Sequence, residues 1–159
     1  MPAQSEKLLS GALEAGRNEL AAASLRSHGR LRLAVTGTSM LPAVRPRDVL
    51  MIRACASDAV CIGDIVAYAR DGRLFVHRVV GRAGVAFIAQ GDALPFADPP
   101  VAARELLGRV VKVVRRGRAF RPALQPPLVA RLAASLFRRS ARAGRLFTRI
   151  DGIDWSSAR

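Results

Sequence analysis

The pattern of apolar and polar positions divides the chain into a helical start, a β-rich middle and a basic, helical end. Over residues 5–26 the apolar positions recur near a 3.6-residue period, and Ser5 can cap the first turn, so a helix is predicted there. The periodic positions are Leu8, Leu9, Ala12, Leu13, Leu20 and Ala23. The sequence "SHGR" ends this helix before residue 31.

Residues 31–118 show the two-residue alternation of β-strands. "RLRLAVTG" and "DVLMIRAC" predict two strands, and "VAFIAQGD" and "LLGRVVKVVRRGR" predict more. In "GDIVAYARDGRLFVHRVVGR" two β-rich runs flank Asp71-Gly72, a dipeptide typical of tight hairpin turns. Five to seven short strands without a convincing helix predict a mainly β, compact and partly closed fold.

The last part of the chain follows a proline-rich break, "PALQPP", at residues 122–127. The sequence "LVARLAASLFRRSARAGRLFTRI" then predicts an amphipathic helix, with Leu132, Leu136, Ala143, Phe147 and Ile150 on its apolar side. Its other side carries Arg131, Arg138, Arg142, Arg145 and Arg149. The predicted organisation is an N-terminal helical segment (1–30), a β-rich domain (31–121) and a basic C-terminal segment (122–159).

The positive charge is concentrated in the C-terminal third. The 159 residues carry a net charge of +14, and residues 109–159 hold 13 Lys or Arg against 2 Asp or Glu. Such a segment favours anionic partners. Three interpretations stay open for the basic helix: a solvated helix packed on the domain, peripheral binding to anionic lipid, and nucleic-acid binding. The third is the least favoured, since no recognition module is visible.

Cofactor and metal sites find little support in the sequence. The two cysteines, Cys55 and Cys61, lack the partners of a zinc site, because the chain has only two histidines, His28 and His77. They are predicted to be small, buried or half-buried residues in a reduced compartment. We predict no metal and no cofactor.

Membrane-spanning and secretory segments are not predicted. No apolar run reaches the roughly 18–20 residues that cross a bilayer. The first 20 residues contain acids and no apolar core, unlike a secretory signal. The expectation is a cytoplasmic protein, with the inner membrane face as a candidate peripheral contact.

Four residues are candidates for a site of nucleophilic catalysis, as nucleophile, base or orienting acid. Ser39 follows a predicted strand in the turn "TGTSMLP", where Gly37 and Pro42 constrain the backbone; the ordinary interpretation is a turn serine. His77 is a candidate base on the predicted hairpin, or else a core histidine. Asp92 and Asp98 in "QGDALPFADPP" could each orient that histidine.

The order and spacing of these motifs resemble a known family. "GTSMLPAVRPRDVL", "GDIVAY", "VHRVVG", "AQGDALPFAD" and "LLGRVVKV" are similar, in the same order, to the conserved boxes of type I signal peptidases. The likeness is closest to the Ser-His-Asp branch, found in archaea, in the endoplasmic reticulum and in small related bacterial peptidases. It covers about residues 31–114.

The resemblance implies roles for the candidate residues. Ser39 would be the nucleophile, His77 the base and Asp98 the orienting acid, with Asp92 in support. It also implies an oxyanion and substrate region around Thr38, Met40 and Pro42, and cleavage of extended leader or precursor peptides after small residues. The serine box of the family continues to Gly-Asp, whereas this chain has Arg47-Asp48, and the family's N-terminal membrane anchor is not seen.

Two other functions stay open. A non-catalytic module could bind peptides or membranes on the same fold. A self-cleaving regulatory domain is suggested by LexA-type repressors, which the resemblance places on a shared β-fold. Those repressors use a Ser-Lys dyad, whereas His77 stands at the base position here, and residues 1–30 are too few for a helix-turn-helix domain.

Overall fold

An antiparallel sheet with one N-terminal helix forms the structure, a computed structural model that describes residues 2–125. The helix α1 spans Pro2–His28. Seven strands follow: β1 (Arg30–Ala34), β2 (Val49–Arg53), β3 (Ile65–Arg70), β4 (Arg73–Ala83), β5 (Ala86–Gln90), β6 (Leu106–Arg115) and β7 (Arg118–Phe120). The mainly β class and the N-terminal helix are therefore confirmed. The predicted basic helix, with Arg131, Arg138, Arg142, Arg145 and Arg149, lies outside the described residues.

The strand order is not the order of the sequence. Within residues 2–125 the sheet runs β1-β2-β6-β3-β4-β5, and β7 pairs with β6 beside this path. Its end strands, β1 and β5, do not pair with each other, so the sheet is not closed into a barrel. Strand β6 lies centrally, between the β1–β2 pair and the β3–β4–β5 group.

The hairpin of β3 and β4 has the turn that its sequence predicts. Asp71 and Gly72 have φ values of 50° and 71°, the left-handed conformation that a two-residue hairpin turn requires at both central positions. The register sets Tyr68 opposite Phe75 and Val66 opposite His77. Because directly opposite residues share a sheet face, this turn places His77 beside Tyr68.

Apolar residues form a core on each face of the sheet. The first core lies on the α1 side and contains Ala22, Leu25, Met40, Val44, Leu50, Ile52, Ile65, Ala67, Leu107, Val110 and Val113. The second core is on the opposite face of β3, β4 and β5, under the loops that follow β2 and β5. It contains Val60, Val66, Tyr68, Val79, Phe87, Ala89 and Val101.

The helix packs differently from its predicted apolar stripe. Among the helix side chains that the structure describes, Ala22 and Leu25 are the buried apolar ones, while Leu13 and Leu20 are about three-quarters exposed and Ala23 is exposed. The predicted positions Leu8, Leu9 and Ala12 lie outside the described side chains. The sheet meets α1 through β1, β4 and β6, and it covers the side that carries Ala22 and Leu25. Gly29, with a φ of 68°, ends the helix through a bond from its N–H to the Leu25 carbonyl. Among the described residues, no helix is both long and apolar enough to cross a bilayer.

The loop between β1 and β2 is held closed at its base. The Val35 N–H donates to the Asp48 carbonyl, and the Arg47 N–H donates to the Val35 carbonyl, each at 2.9 Å. Asp48 is 2% exposed and accepts two bonds from the Arg115 guanidinium, at 2.9 and 2.7 Å. Asp48 accepts a third bond, from the Arg45 N–H at 2.8 Å, which closes a tight turn. Arg115 of β6 therefore holds the end of the segment that carries Ser39, and the bonds between Val35 and the pair Arg47-Asp48 tie its start to that end.

Arg47, which stands where the resemblance expects glycine, has a φ of 74°. A side chain in this left-handed region costs about 1–2 kcal/mol, whereas glycine adopts it freely. We expect Arg47→Gly to raise the free energy of unfolding by about 0.5–1 kcal/mol, because the relief exceeds the entropy that glycine loses on folding. Urea unfolding measures this, with Arg73→Gly at an exposed strand position as the control. A lower stability for Arg47→Gly would contradict the prediction.

The two cysteines are free thiols, but they differ in exposure. Cys55 is half-buried, as predicted, and burial raises the pKa of its thiol. Cys61 is exposed, so the prediction of burial is wrong for this residue. Its N–H donates to the Asp64 carboxylate at 2.9 Å in a tight turn, and this turn keeps residue 61 at the surface.

Candidate active site

Ser39, His77 and Asp98 form a continuous hydrogen-bonded chain. The distance from Ser39 Oγ to His77 Nε2 is 3.1 Å, and that from His77 Nδ1 to Asp98 Oδ2 is 2.6 Å. The three residues come from the β1–β2 loop, strand β4 and the loop after β5. His77 is 5% exposed, while the side chain of Asp98 is 16% exposed. The fold thus brings together three residues that are separated by 38 and 21 positions in the sequence.

The partners of the imidazole define its tautomer. A carboxylate oxygen can only accept, so His77 Nδ1 carries the proton and donates it to Asp98. Nε2 is then the acceptor, and the Ser39 hydroxyl donates to it. A neutral imidazole in this tautomer has its basic nitrogen directed at a hydroxyl, which is the arrangement needed to remove the hydroxyl proton.

The Asp98 carboxylate has a second hydrogen-bond donor, a buried tyrosine. The Tyr68 hydroxyl donates to Asp98 Oδ2 at 2.7 Å, the same oxygen that accepts from His77. Tyr68 is 1% exposed and stacks on Phe75 with ring centroids 5.2 Å apart. Burial is the main cause that raises the pKa of Tyr68, and the hydrogen bond to Asp98 raises it further. The phenol therefore stays protonated and remains a donor to Asp98.

The loop after β5 also contacts the backbone of Ser39. The Ala93 N–H donates to the Ser39 carbonyl at 2.8 Å. Gly91 lies so close that a β-carbon there would be 2.7 Å from the same carbonyl oxygen. Any larger residue at position 91 would push this loop and the Ser39 backbone apart, so glycine is required by the close approach.

Asp92 pairs with Arg78, the residue after His77. Its carboxylate accepts two bonds from the Arg78 guanidinium, each 2.9 Å, and the side chains of both residues are less than a tenth exposed. Arg78 Nη1 also donates to the carbonyls of Gly63 and Ala123, each at 2.8 Å. Of the two candidate acids, the structure brings Asp98 to the imidazole. Asp92 fixes the start of the loop that carries Asp98.

Arg70 fixes the other end of that loop. Its guanidinium donates to the carbonyls of Pro99 and Pro100 and forms two bonds to Glu105, at 2.5 and 2.9 Å. Glu105 also accepts from the Ala102 N–H at 2.7 Å. The bond to Arg70, reinforced by the Ala102 N–H, lowers the pKa of Glu105 from 4.5 to about 2.

This pKa predicts a pH dependence of stability. Because the pKa is lowered in the folded state, Glu105 stabilises the fold fully above pH 4.5, and the contribution is lost as the pH falls towards about 2. The side chain is 18% exposed, so we expect Glu105→Gln to cost about 1–2 kcal/mol near neutral pH. Urea unfolding near neutral pH and near pH 2 should show that the difference in free energy of unfolding between wild type and Glu105→Gln vanishes in acid. Glu19→Gln on exposed α1 is the control, and a constant difference would contradict the prediction.

A cleft of about 240 Å³ adjoins Ser39. Its apolar lining residues come from β1, β2, β4 and the Ser39 loop, and polar groups of Arg17 and Asn18 of α1 and of Thr36 also line it. The aliphatic lining residues are Leu33, Val35, Met40, Val44, Leu50, Leu74 and Val76. Thr38 precedes Ser39 in this loop, Met40 is in the cleft wall, and Pro42 follows a cis peptide bond two residues later. The cleft has room for a small apolar group beside the hydroxyl.

Tyr68 and Arg78 are among the supporting residues that sequence patterns do not assign to the site. In the alternating run "GDIVAY" a tyrosine indicates only a β-strand core position. The available signal was the predicted hairpin, which places positions 68 and 77 on one face of the sheet. Arg78 could be recognised only by its burial, because arginine is almost never fully buried without a partner.

Comparison with known proteins gives this chain no family: no protein-family model matches it, and no curated protein sequence matches it either.

Proposed function

We propose that this protein is a serine endopeptidase of the signal-peptidase type, with Ser39 as nucleophile, His77 as general base and Asp98 as the acid that orients His77. The observation that carries the proposal is the unbroken Ser39–His77–Asp98 hydrogen-bond chain. A serine in a turn and a buried histidine are each common. Their alignment through opposite nitrogens of one ring, with a carboxylate behind it, is the arrangement of a nucleophilic triad.

The geometry supports the usual two-stage reaction. His77 Nε2 takes the Ser39 proton as Oγ forms a bond to the peptide carbonyl carbon. The protonated imidazole then donates that proton to the leaving nitrogen as the C–N bond breaks, which leaves an acyl-enzyme. Water, deprotonated by His77, then attacks the ester carbon, and the imidazolium returns the proton to Ser39 Oγ as the Oγ–C bond breaks and the acyl half of the substrate leaves. Asp98 keeps the ring in its tautomer and stabilises the imidazolium.

Backbone N–H groups of the Ser39 turn are candidates for the oxyanion hole. Among residues 2–125 the N–H groups of Ser39 and Met40 donate to no backbone carbonyl in the turn and to no side chain. Donors that are preorganised around the developing negative charge stabilise the tetrahedral intermediate. We assign this role to Ser39 N–H, with Met40 N–H next to it.

The cleft supports a substrate with a small apolar side chain before the cut. Its apolar lining residues favour an apolar side chain in the cleft, and the restriction to small residues such as alanine is what the resemblance to signal peptidases implies. The proposed substrate class, an extended leader or precursor peptide, is the one that the resemblance implies. The signal-peptidase-like fold and a peripheral membrane contact through the C-terminal arginines belong to the same proposal.

The test is labelling of the nucleophile. A fluorophosphonate probe should label the wild-type protein at Ser39, as located by mass spectrometry, and Ser39→Ala should abolish labelling and peptide cleavage. Ser27→Ala, at an exposed position of α1, is the matched control. Equal labelling of wild type and Ser39→Ala, with no cleavage of a peptide library, would refute the proposal. Fragments of the pure protein that are absent from Ser39→Ala would redirect it to self-cleavage.

Tyr68 predicts a graded effect on this activity. Removing its hydroxyl in Tyr68→Phe leaves the stacked ring and takes one of two donors from Asp98 Oδ2. A hydrogen bond to a charged group contributes about 1.5–3 kcal/mol, and part of that loss should appear as an approximately tenfold lower kcat/KM. Phe75→Tyr, which adds a hydroxyl to the neighbouring ring, controls for packing. An unchanged kcat/KM in Tyr68→Phe would show that Asp98 does not need this donor.

A further inference from the structure

Five cations lie together on one face of the sheet, on the side opposite α1. They are Arg30 and Arg32 on β1, Arg53 on β2, and Arg109 and Lys112 on β6. We call this set the cationic face. Arg30, Arg32, Arg53 and Lys112 are exposed, and the side chain of Arg109 is 39% exposed.

The strand register places these side chains in two rows. Arg30 is directly opposite Arg53, and Arg53 is opposite Arg109. In the second row Arg32 is opposite Met51, which is opposite Lys112. Neighbouring strands are about 4.8 Å apart, so the three arginines of the first row lie within about 10 Å. Directly opposite residues share a sheet face, so all five cations point the same way.

This arrangement is unfavourable for the isolated protein. Like charges directly opposite each other destabilise a sheet, and the first row contains two such contacts in succession. Among the described residues, the ion pair at this face joins Arg109 to Asp64 at 3.3 Å. A bound anionic surface would neutralise the remaining repulsion.

We propose that the cationic face docks on an anionic lipid surface. The face is broad, and the half-buried apolar side chains of Val49, Met51 and Val114 lie among its cations, a mixture that suits the headgroup region of a bilayer. None of these positions is aromatic, so the face lacks the stacking groups that bind nucleic-acid bases.

The docked orientation leaves the cleft beside Ser39 accessible. Along β1 and β2 the cleft-lining residues Leu33 and Leu50 alternate with the cations, so they point to the opposite face of these strands. Docking is therefore independent of the proposed peptidase activity, and Ser39→Ala should bind vesicles like the wild type.

The test compares two double variants of the full chain that remove the same charge. Arg30→Gln with Arg53→Gln neutralises the first row, and Arg73→Gln with Arg104→Gln neutralises two exposed arginines elsewhere. Co-sedimentation uses phosphatidylcholine vesicles with and without phosphatidylserine. A cation near such a surface contributes about fivefold to binding, so we expect the first variant to bind phosphatidylserine vesicles about thirtyfold more weakly and the second to change less than about threefold.

Several outcomes would overturn the proposal. They are equal losses in the two variants, no loss in the first, or wild-type binding that does not depend on phosphatidylserine. If the wild type bound random-sequence duplex DNA more tightly than phosphatidylserine vesicles, and only the first variant lost that binding, the cationic face would be assigned to nucleic acid instead. Thermal unfolding controls for loss of the fold. The melting temperature of the first variant should be no lower than that of the wild type, because the variant loses two like charges that lie directly opposite each other.

Discussion

Replacing His77 with alanine is expected to lower kcat/KM by about 10⁴-fold or more, the scale at which loss of a triad member acts. The reason is that no other described group accepts the Ser39 hydroxyl proton, since the hydrogen bond of Ser39 Oγ is to His77 Nε2. His28→Ala is the matched control, because His28 is the other histidine of the chain and is exposed on α1. Its activity should equal that of the wild type.

A double variant tests more directly whether Ser39 and His77 act together. If Ser39 and His77 act as one unit, Ser39→Ala with His77→Ala should be no less active than either single variant, because removal of one member already abolishes the proton transfer. Multiplicative losses would show that the two residues act separately. Circular dichroism of each variant confirms that the fold is kept. An active His77→Ala would exclude the proposed mechanism.

Replacing Asp92 with alanine is expected to give the largest loss of stability, about 3–5 kcal/mol, because it leaves the buried charge of Arg78 without a counter-ion. The side chains are 7% and 9% exposed, so bulk water reaches the Arg78 guanidinium poorly in the folded protein. Two of the remaining Arg78 bonds go to carbonyl groups of Gly63 and Ala123, which do not carry the missing negative charge. Urea unfolding measures the change.

Asp58→Ala provides the comparison for this loss. Asp58 is an exposed carboxylate in the 3₁₀ turn after β2, and its removal should change the free energy of unfolding by less than about 0.5 kcal/mol. A cost below about 1 kcal/mol for Asp92→Ala would mean that Arg78 is solvated in the folded protein. The loop that carries Asp98 begins at Asp92, so catalysis should fall along with stability.

Local sequence patterns predicted most strands because each depends on neighbouring residues. Alternation in "RLRLAVTG" and the Asp71-Gly72 turn need no information about the rest of the chain. The strand order could not be predicted this way, since β6 pairs with β2 and β3 through contacts over tens of residues. The helix stripe at Leu13 and Leu20 was misjudged for the same reason: periodicity shows an apolar side but not which side the sheet covers.

Sequence motifs suggested which residues of the candidate site come together but not the residues that support them. The motif order suggested Ser39, His77 and Asp98, and these residues do lie together. Tyr68 and Arg78 act through burial and through partners distant in sequence, which a strand pattern does not reveal. Arg47 was noted as a departure from glycine, but only the backbone angle shows that it lies in the left-handed region.

The central position of β6 has a consequence for the newly made chain. The β3–β4 hairpin, which carries Tyr68, His77 and Arg78, is local and can form within microseconds. Ser39, the proposed nucleophile, belongs to the β1–β2 unit, and within the described sheet this unit joins the hairpin through β6, which begins at Leu106. A ribosome-bound chain that ends before residue 106 lacks the strand that joins the Ser39 unit to His77. The proposed triad would therefore be complete only after β6 has been made.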